Sequence, residues 1–474
     1  MTAARPNILL LVIDAARADR LSCMGYGKPT TPHLDRLAAG GILYRQAIST
    51  ATWTVPAHAS LFTGQYLSKH RASNQTPRLA ERVRTLAEAL AAAGYRTGSF
   101  TNNPYAGSPA GLGRGFARVT ELWSAAERGR PGYVLRRLRR KLSRRADSGA
   151  AELNRRMLEF ARAGAGSRRP WFIFANYVET HLPLHGPAVW RHRFVPAGAT
   201  RAELDGVNLD PISVHLGKLV MTERDYALLG ARYDAQLAYA DHRLGELVDR
   251  LAGGDLQGML AVVLADHGEN LGEHGLMSHE HCVYDTLLHV PLIVSWPGTL
   301  APCTVDEQVQ ILDVPVAVLA AAGIRDARFD AECQGINLLD AAARRQRPWA
   351  VAEHDAPRAE VVEERYRGFP RELVERSYRA WREAGEKLIW RSDGAHEYYR
   401  LDRDPGETRD LAAAAPERVA ELSRRLACWV EACEQAAARL HGSGGASGDR
   451  PPPAGAGEQE AAVRARLREL GYLD

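Results

Sequence analysis

Five short, strand-like and mostly apolar runs punctuate the chain: Asn7–Ile13, Tyr95–Thr101, Trp171–Tyr177, Met259–Ala265 and Val290–Trp296. Runs of this length that lack strict polar alternation suit strands buried on both faces. Stretches with helical periodicity separate them. The longest, TERDYALLGARYDAQLAYADHRLGELVDRL from Thr222 to Leu251, reads as one amphipathic helix. The alternation predicts an α/β fold, a mostly parallel sheet sandwiched by helices.

The texture changes after about Asp340. KLIWRS and HEYYRL read as paired strands, DPGETRDL as a turn, and Pro416 to Leu440 as a helix. The expected organisation is a catalytic domain over 1–340, a smaller C-terminal α+β domain over 341–441, and a linker plus terminal helix over 442–474. HGSGGASGDRPPPAGAGEQE has linker composition, and AAVRARLRELGYLD is expected to dock back. Residues 128–145, RGRPGYVLRRLRRKLSRR, form a basic insertion with Val134, Leu135, Leu138 and Leu142 on one helical face. A solvated surface helix is the simpler reading. Contact with an anionic substrate or a membrane surface is the functional one.

With 474 residues, 45% hydrophobic and 25% charged, the composition is that of an ordinary globular protein. A net charge of +4 gives no reason to expect a nucleic-acid partner. No eighteen consecutive apolar residues occur, so no transmembrane helix is expected. The first apolar run has no small-residue cleavage site and ends in Asp14, so it reads as a strand and not as a leader. Six scattered cysteines without a CxxC pair point to reduced thiols and a cytoplasmic setting.

The candidate chemistry gathers at strand ends. Asp14 ends the first run, and Asp266 and His267 end the fourth. In open α/β sheets ligands bind outside the carboxyl ends of the strands. Two carboxylates and an imidazole suit one divalent ion, zinc or manganese ahead of calcium. In TWTVPAHASLFTG, Pro56 fits a first helical turn and Gly64 a helix end, so Thr54 falls at a helix N-terminus. A threonine hydroxyl there would need a metal to act as a nucleophile. On that segment alone, a simple N-cap is the plainer reading.

The motifs PNILLLVID, GYGKPTTPHLDRLAAGGILY, TWTVPAHASLFTG, ADHGENLGEHG, HVPLIVSWPG and DPGETRDL follow one another as in sulfatases. Over most of residues 5 to 415 the chain resembles a sulfatase-family member of the alkaline phosphatase superfamily. The resemblance implies a metal-bound nucleophile that attacks sulfur or phosphorus in a sulfate or phosphate ester. It matches Asp14, Asp266, His267 and Thr54 to metal-binding positions. Thr54 stands at the nucleophile of the Cys/Ser-x-Pro-x-Arg signature, and His58 replaces its arginine as a substrate-binding group.

The departures from the sulfatase pattern are informative. Oxidation of threonine would give a ketone, so no formylglycine is expected. Unmodified threonine and the Asp266-His267 pair resemble the phosphotransferring branches instead. Ala15 fills the place of a second acidic ligand, which weakens a calcium site. FTNNPYAGSPAGLGRGF stands where a lysine–histidine pair is usual, with Asn102 and Asn103 as oxyanion contacts. In NYVETHLPLHGP, His181 matches a histidine near the ester's oxygens, as leaving-group acid or ligand to a second ion, and His185 is close enough to assist. In GLMSHEHCVYD, His279 and His281 compete for the same work, with His279 the better match. Glu269, Glu273 and His274 are expected to order their loop.

The expected cofactor is one divalent ion, zinc or manganese ahead of calcium or magnesium, with a second ion as an option. The expected reaction is ping-pong transfer from a phosphate monoester or diester through a phosphothreonine. A small-molecule, lipid or glycan ester is the substrate, and Trp190, Arg191, His192 and Arg193 favour an anionic or sugar-like group. Two other readings stand beside it: a sulfatase working without formylglycine, and a non-catalytic binding module on the same fold.

Overall fold

A computed structural model describes residues 5–129, 132–142, 146–164, 169–251, 258–279, 281–358, 361–363, 371–383, 385–442 and 456–472. Its main sheet has eight strands: β1 (Asn7–Ile13), β2 (Ile42–Tyr44), β3 (Arg96–Thr101), β4 (Arg118–Glu121), β5 (Trp171–Tyr177), β6 (Met259–Leu264), β7 (Leu292–Ser295) and β8 (Cys303–Val305). Their spatial order is β8-β2-β7-β6-β1-β5-β3-β4. Only β7 runs antiparallel to its neighbours; the other pairs are parallel. The five expected runs all form strands, with bounds shifted by two residues at most. Strands β2, β4 and β8 are three or four residues long, too short to show a period in the sequence.

The central strand is β1, flanked by β5 and β6 in parallel register, with Leu10 opposite both Phe174 and Val262. Ile8 to Ile13 are essentially unexposed, which explains the unbroken apolar run. The long helix spans Glu223–Leu251.

The smaller sheet is a four-stranded antiparallel meander of Trp349–His354, Tyr378–Glu383, Glu386–Arg391 and Glu397–Arg400. The helix Pro416–His441 packs on its Glu386–Arg391 strand. KLIWRS and HEYYRL pair as expected, Leu388 opposite Tyr398. The first strand of this sheet also touches the main body. Ala51 bridges Glu353, and Thr52 Oγ1 lies 2.8 Å from His354 Nδ1. The meander therefore braces the segment that leads into Thr54.

The basic insertion forms a helix over Tyr133–Leu142. Val134 and Leu142 are 72% and 74% exposed, and Leu135 and Leu138 also face solvent. Residues 130–131 and 143–145 of that segment, and 443–455 of the expected linker, lie outside the described residues. Among the described residues no helix is long and apolar enough to cross a membrane. All six cysteines are free.

One buried ion cluster ties the small sheet to the short helix Asp285–Leu288 that precedes β7. Lys387 of the small sheet is 0% exposed. Its Nζ lies 2.8 Å from Asp285 Oδ1 and 2.7 Å from Glu407 Oε1. Removing one partner from a buried ion pair strands the other charge, at a cost of about 3–5 kcal/mol. Lys387→Ala should lower the unfolding free energy by about that amount, read as a shifted urea midpoint. An unchanged midpoint would show that the cluster does not hold the small sheet to that helix.

Candidate active site

The centre forms where the parallel strands end. Asp14 follows β1, Asp266 follows β6, Asn176 lies near the end of β5, and Asn103 lies two residues beyond β3. The parallel register pairs Val12 with Leu264, so Asp14 and Asp266 leave neighbouring strands at the same height. Asp14, Asp266 and His267 are all 0% exposed. One ligand atom from each lies within 4.8 Å of the others.

Each of the three offers an atom that no hydrogen bond uses: Asp14 Oδ1, Asp266 Oδ2 and His267 Nε2. The remaining polar atoms are engaged. Asp14 Oδ2 accepts from Asn103 Nδ2 at 2.8 Å and Asn176 Nδ2 at 3.3 Å. Asp266 Oδ1 accepts from the backbone N–H of His267 at 3.0 Å and of Ala15 at 3.3 Å. His267 Nδ1 donates to the Gly268 carbonyl at 2.9 Å, which leaves the Nε2 lone pair facing both carboxylates, 3.6 Å from Asp14 Oδ1 and 3.5 Å from Asp266 Oδ2. Two buried carboxylates and one imidazole, each with an orphaned donor atom turned inward, fit a divalent cation.

The electrostatics agree. Burial first, and then the charge of Asp266, push the Asp14 carboxyl up to about 7. Burial opposes ionisation of Asp266, but His267 and His58 outweigh it and hold that carboxyl below its usual range. Burial works against a charged His267, and Asp266 and Asp14 raise it above its usual value. A cation would relieve the repulsion between the two carboxylates.

Thr54 is the first residue of the helix Thr54–Thr63, all ten residues of which are buried. Gly64 ends it in the left-handed region at φ 64°, where a Cβ would also collide with Cys333 Sγ. Trp53, not Thr54, is the N-cap, and no side chain caps the helix. The Thr54 hydroxyl instead faces the cluster, 3.3 Å from Asn103 Nδ2. The N-cap reading of Thr54 therefore does not hold.

His58 is one helical turn on. Its Nδ1 donates back to the Thr54 carbonyl at 2.9 Å and lies 3.3 Å from Asp266 Oδ2. It is fully buried, edge-on to Phe174. The i to i−4 spacing turns Nδ1 to Asp266 and the helix backbone, and leaves Nε2 without a hydrogen bond.

His181 and His279 join the centre, with ring centroids 4.7 Å apart and His279 4.5 Å from His267. Burial, then the neighbouring His279, lower His181 to about 3, so it is a neutral imidazole. His279 Nδ1 lies 3.2 Å from Glu269 Oε1, and Glu269 Oε2 accepts from Leu182 N–H at 3.1 Å. Glu273 pairs with Arg17 at 2.7 Å, and His274 stacks on Tyr284 at 3.7 Å, so these two order the loop. The His281 ring lies 6.2 Å from that of His215 and 6.4 Å from that of His354.

Two expected residues fall elsewhere. Asn102 and His185 line a cavity of about 410 Å³ beside the centre, together with Trp123, Arg128, Asp147 and Arg466. Asn102 donates its side-chain amide to the Ser148 carbonyl. Consecutive residues leaving a strand point to opposite sides, so Asn103 reaches Thr54 and Asn102 does not. Trp190 packs on Tyr239 at 5.6 Å, and Arg191 and His192 pair with Asp205; none of these contacts belongs to the cluster.

Sequence reasoning missed Tyr472. Its phenol lies 3.0 Å from Thr54 Oγ1 and 2.8 Å from His181 Nε2. Burial first, and then the charge of Asp14, raise it well above 10, so it is a neutral O–H. Nothing in GYLD signals this. Asn176 was missed too, although an asparagine inside the apolar run WFIFANY is a usable cue.

A protein-family model described as Sulfatase matches residues 6–324. Among curated relatives, the choline-sulfatase of Rhizobium meliloti (strain 1021) is 24% identical over 451 residues, covering 87% of this chain and 83% of the relative. Among solved structures, the phosphonate monoester hydrolase of Agrobacterium radiobacter superposes with a TM-score of 0.69 at 22% identity, covering 91% of this chain and 96% of the other. A phosphonate monoester hydrolase from Silicibacter pomeroyi gives 0.68 at 23% identity, covering 89% and 94%.

Two measurements test the centre. Asp14→Asn, Asp266→Asn and His267→Ala should each weaken zinc or manganese affinity by more than the roughly 10–100-fold that an outer-shell change costs; equal metal content after dialysis would refute the ligand set. Chelated protein should also show the strain of Asp14. An acid raised from 3.8 to about 7 on folding adds stability below the lower value that disappears as pH rises through the higher one. Asp14→Asn lacks this loss. Its unfolding free energy relative to the unaltered chain should therefore rise between pH 4 and pH 8, by a few kcal/mol. A flat difference across that range would show that Asp14 is not strained.

Proposed function

The chain belongs to the sulfatase family, and from that premise we propose that it is a metal-dependent hydrolase or transferase of phosphorus esters with unmodified Thr54 as its nucleophile. Hydrolysis of a phosphate or sulfate ester is the chemistry the family match carries. The observation behind the finer reading is the Asn103 amide, which spans Asp14 Oδ2 at 2.8 Å and Thr54 Oγ1 at 3.3 Å. It ties the threonine hydroxyl to the carboxylate cluster, away from its own helix.

Asp14, Asp266, His267 and the Thr54 hydroxyl would hold a divalent ion, which supplies Lewis-acid polarisation of the ester and acidifies the hydroxyl. Thr54 Oγ1 attacks phosphorus, the bond to the leaving oxygen breaks, and the Thr54 proton passes by way of the Tyr472 phenol to His181 Nε2. Asn103 donates to a non-bridging oxygen as charge develops. His279, oriented by Glu269, protonates the leaving oxygen. His181 has Nδ1 committed to the Leu182 carbonyl and is neutral, so it serves as an acceptor. Water, or an acceptor alcohol, then attacks the phosphothreonine and gives its proton to His279, while the proton held by His181 returns to Thr54.

Charge narrows the substrate. Among the described residues, no lysine or arginine hydrogen-bonds or ion-pairs with Asp14, Thr54, Asp266, His267, His181 or Tyr472. Two carboxylates offset a divalent ion, so a monoanionic ester costs less to bind than a dianion. Phosphodiesters and phosphonate monoesters meet that condition, as does a sulfate monoester; the unmodified Thr54 is what favours the phosphorus esters. The adjacent cavity of about 410 Å³ falls in the usual range for small-ligand sites, roughly 300–1,000 Å³, and is assigned to the ester's organic part.

The test compares bis-p-nitrophenyl phosphate, p-nitrophenyl phenylphosphonate, p-nitrophenyl phosphate and p-nitrophenyl sulfate, with zinc or manganese returned to stripped protein. The monoanionic phosphorus esters should turn over fastest. Thr54→Ala should lose at least about 10³-fold in kcat while keeping its melting temperature. Fastest turnover of the sulfate would select the sulfatase reading, and an unchanged Thr54→Ala rate would remove the nucleophile.

A further inference from the structure

The terminal helix Ala456–Glu469 ends in a way that commits its last described residue to the centre. Gly471 takes φ 75°. Gly471 N–H bonds the Arg468 carbonyl at 3.0 Å, and Tyr472 N–H bonds the Leu467 carbonyl at 2.9 Å. That pair of bonds is a Schellman motif, which turns the chain back on its helix. Leu467, Leu470 and Tyr472 then cluster on Val178. The Tyr105 ring meets Tyr472 edge-on at 4.8 Å, and Arg466 Nε donates to the Asn102 carbonyl at 2.9 Å. Backbone, apolar and polar contacts all fix where the phenol goes.

The hydrogen bonds around the phenol have a direction. His181 Nδ1 donates to the Leu182 carbonyl, so Nε2 carries the lone pair. The phenol O–H therefore donates to His181 Nε2 at 2.8 Å. Its own lone pairs are left to the Thr54 O–H at 3.0 Å. The phenol thus occupies the space between the hydroxyl that attacks and one of the histidines that faces the ester.

A phosphoryl group arriving at Thr54 brings at least two non-bridging oxygens. Asn103 supplies one neutral donor, and no arginine or lysine among the described residues bonds to Thr54. A second donor is needed, and the phenol is the group already in contact with the reacting atom. Its bond to the neutral His181 nitrogen is weaker than a bond to an oxyanion. A small rotation about the phenolic C–O bond exchanges one for the other. Resting on the reading of Thr54 as nucleophile, we infer that Tyr472 is a catalytic residue supplied by the C-terminal helix, whose phenol donates to a non-bridging oxygen of the bound ester and of its transition state.

Tyr472→Phe in the full-length chain removes only that hydroxyl. It should lower kcat/KM for bis-p-nitrophenyl phosphate at least tenfold and weaken orthovanadate binding at least tenfold, with the melting temperature unchanged. Unchanged kinetics and vanadate affinity would reduce the residue to a packing role and overturn the proposal. Faster turnover would overturn it as well, by showing that the phenol obstructs the centre. If the unaltered protein turned over none of the esters, the proposed reaction would fail. The vanadate titration would then decide Tyr472 by itself: equal affinity in both proteins would overturn the inference, and weaker binding by the variant would uphold it.

Discussion

The mutual repulsion of two buried carboxylates organises this protein. Asp14 and Asp266 sit side by side because β1 and β6 are parallel neighbours in register, and adjacent strands lie about 4.8 Å apart. Neither carboxylate has solvent to share its charge. In a low-dielectric interior such a pair is costly unless opposite charge or hydrogen-bond donors surround it. The surrounding groups meet that demand: Asn103 and Asn176 on Asp14, two backbone N–H groups on Asp266, and the rings of His58 and His267. The inward-turned atoms that remain are the ones a cation would take.

The sheet's direction turns that local problem into a site. Because β1, β3, β5 and β6 all run the same way, their carboxyl ends deliver Asp14, Asn103, Asn176 and Asp266 to one end of the sheet. The Thr54 helix enters from the side. Its approach is pinned at Ala51 and Thr52 by the strand Trp349–His354. The small sheet thus contributes to the centre without placing a side chain in the carboxylate cluster. It fixes where the threonine helix begins, and the buried Lys387 cluster fixes the sheet.

Much of this was legible in the sequence, for local reasons. Asp14, Asp266 and His267 end apolar runs, and Thr54 precedes a helix marked by Pro56 and Gly64. Each signal lies within a few residues of the group it identifies. What could not be read depended on geometry beyond that range. Asn102 and Asn103 are adjacent and chemically identical, and only the strand's end orientation separates the cavity wall from the centre. His58 matched a substrate-binding position by spacing, and helical geometry turns its Nδ1 onto Asp266. The first two strands of the small sheet, WAVAEH and YRAWRE, mix polar and charged residues with apolar ones, so their pairing shows only across the sheet. Tyr472 is the extreme case, 418 residues from its partner Thr54, in a segment whose sequence suggests nothing but a helix end.

The position of Thr54 within its helix explains why its hydroxyl faces the carboxylate cluster. Inside a helix, a threonine hydroxyl tends to bond back to a carbonyl three or four residues earlier. The Thr63 hydroxyl does so, donating to the Ala59 carbonyl at 2.7 Å. Thr54 is the first helical residue, and no helical carbonyl lies behind it. Its hydroxyl is released to Asn103 and Tyr472, while its β-branching restricts χ1 and keeps the oxygen aimed. Moving the same residue one turn into the helix would restore the backbone partner and withdraw the oxygen from the cluster. A helix start on top of a buried carboxylate pair is therefore what frees this hydroxyl from its own backbone, and the long reach of the C-terminal tyrosine gives it an acceptor outside the helix.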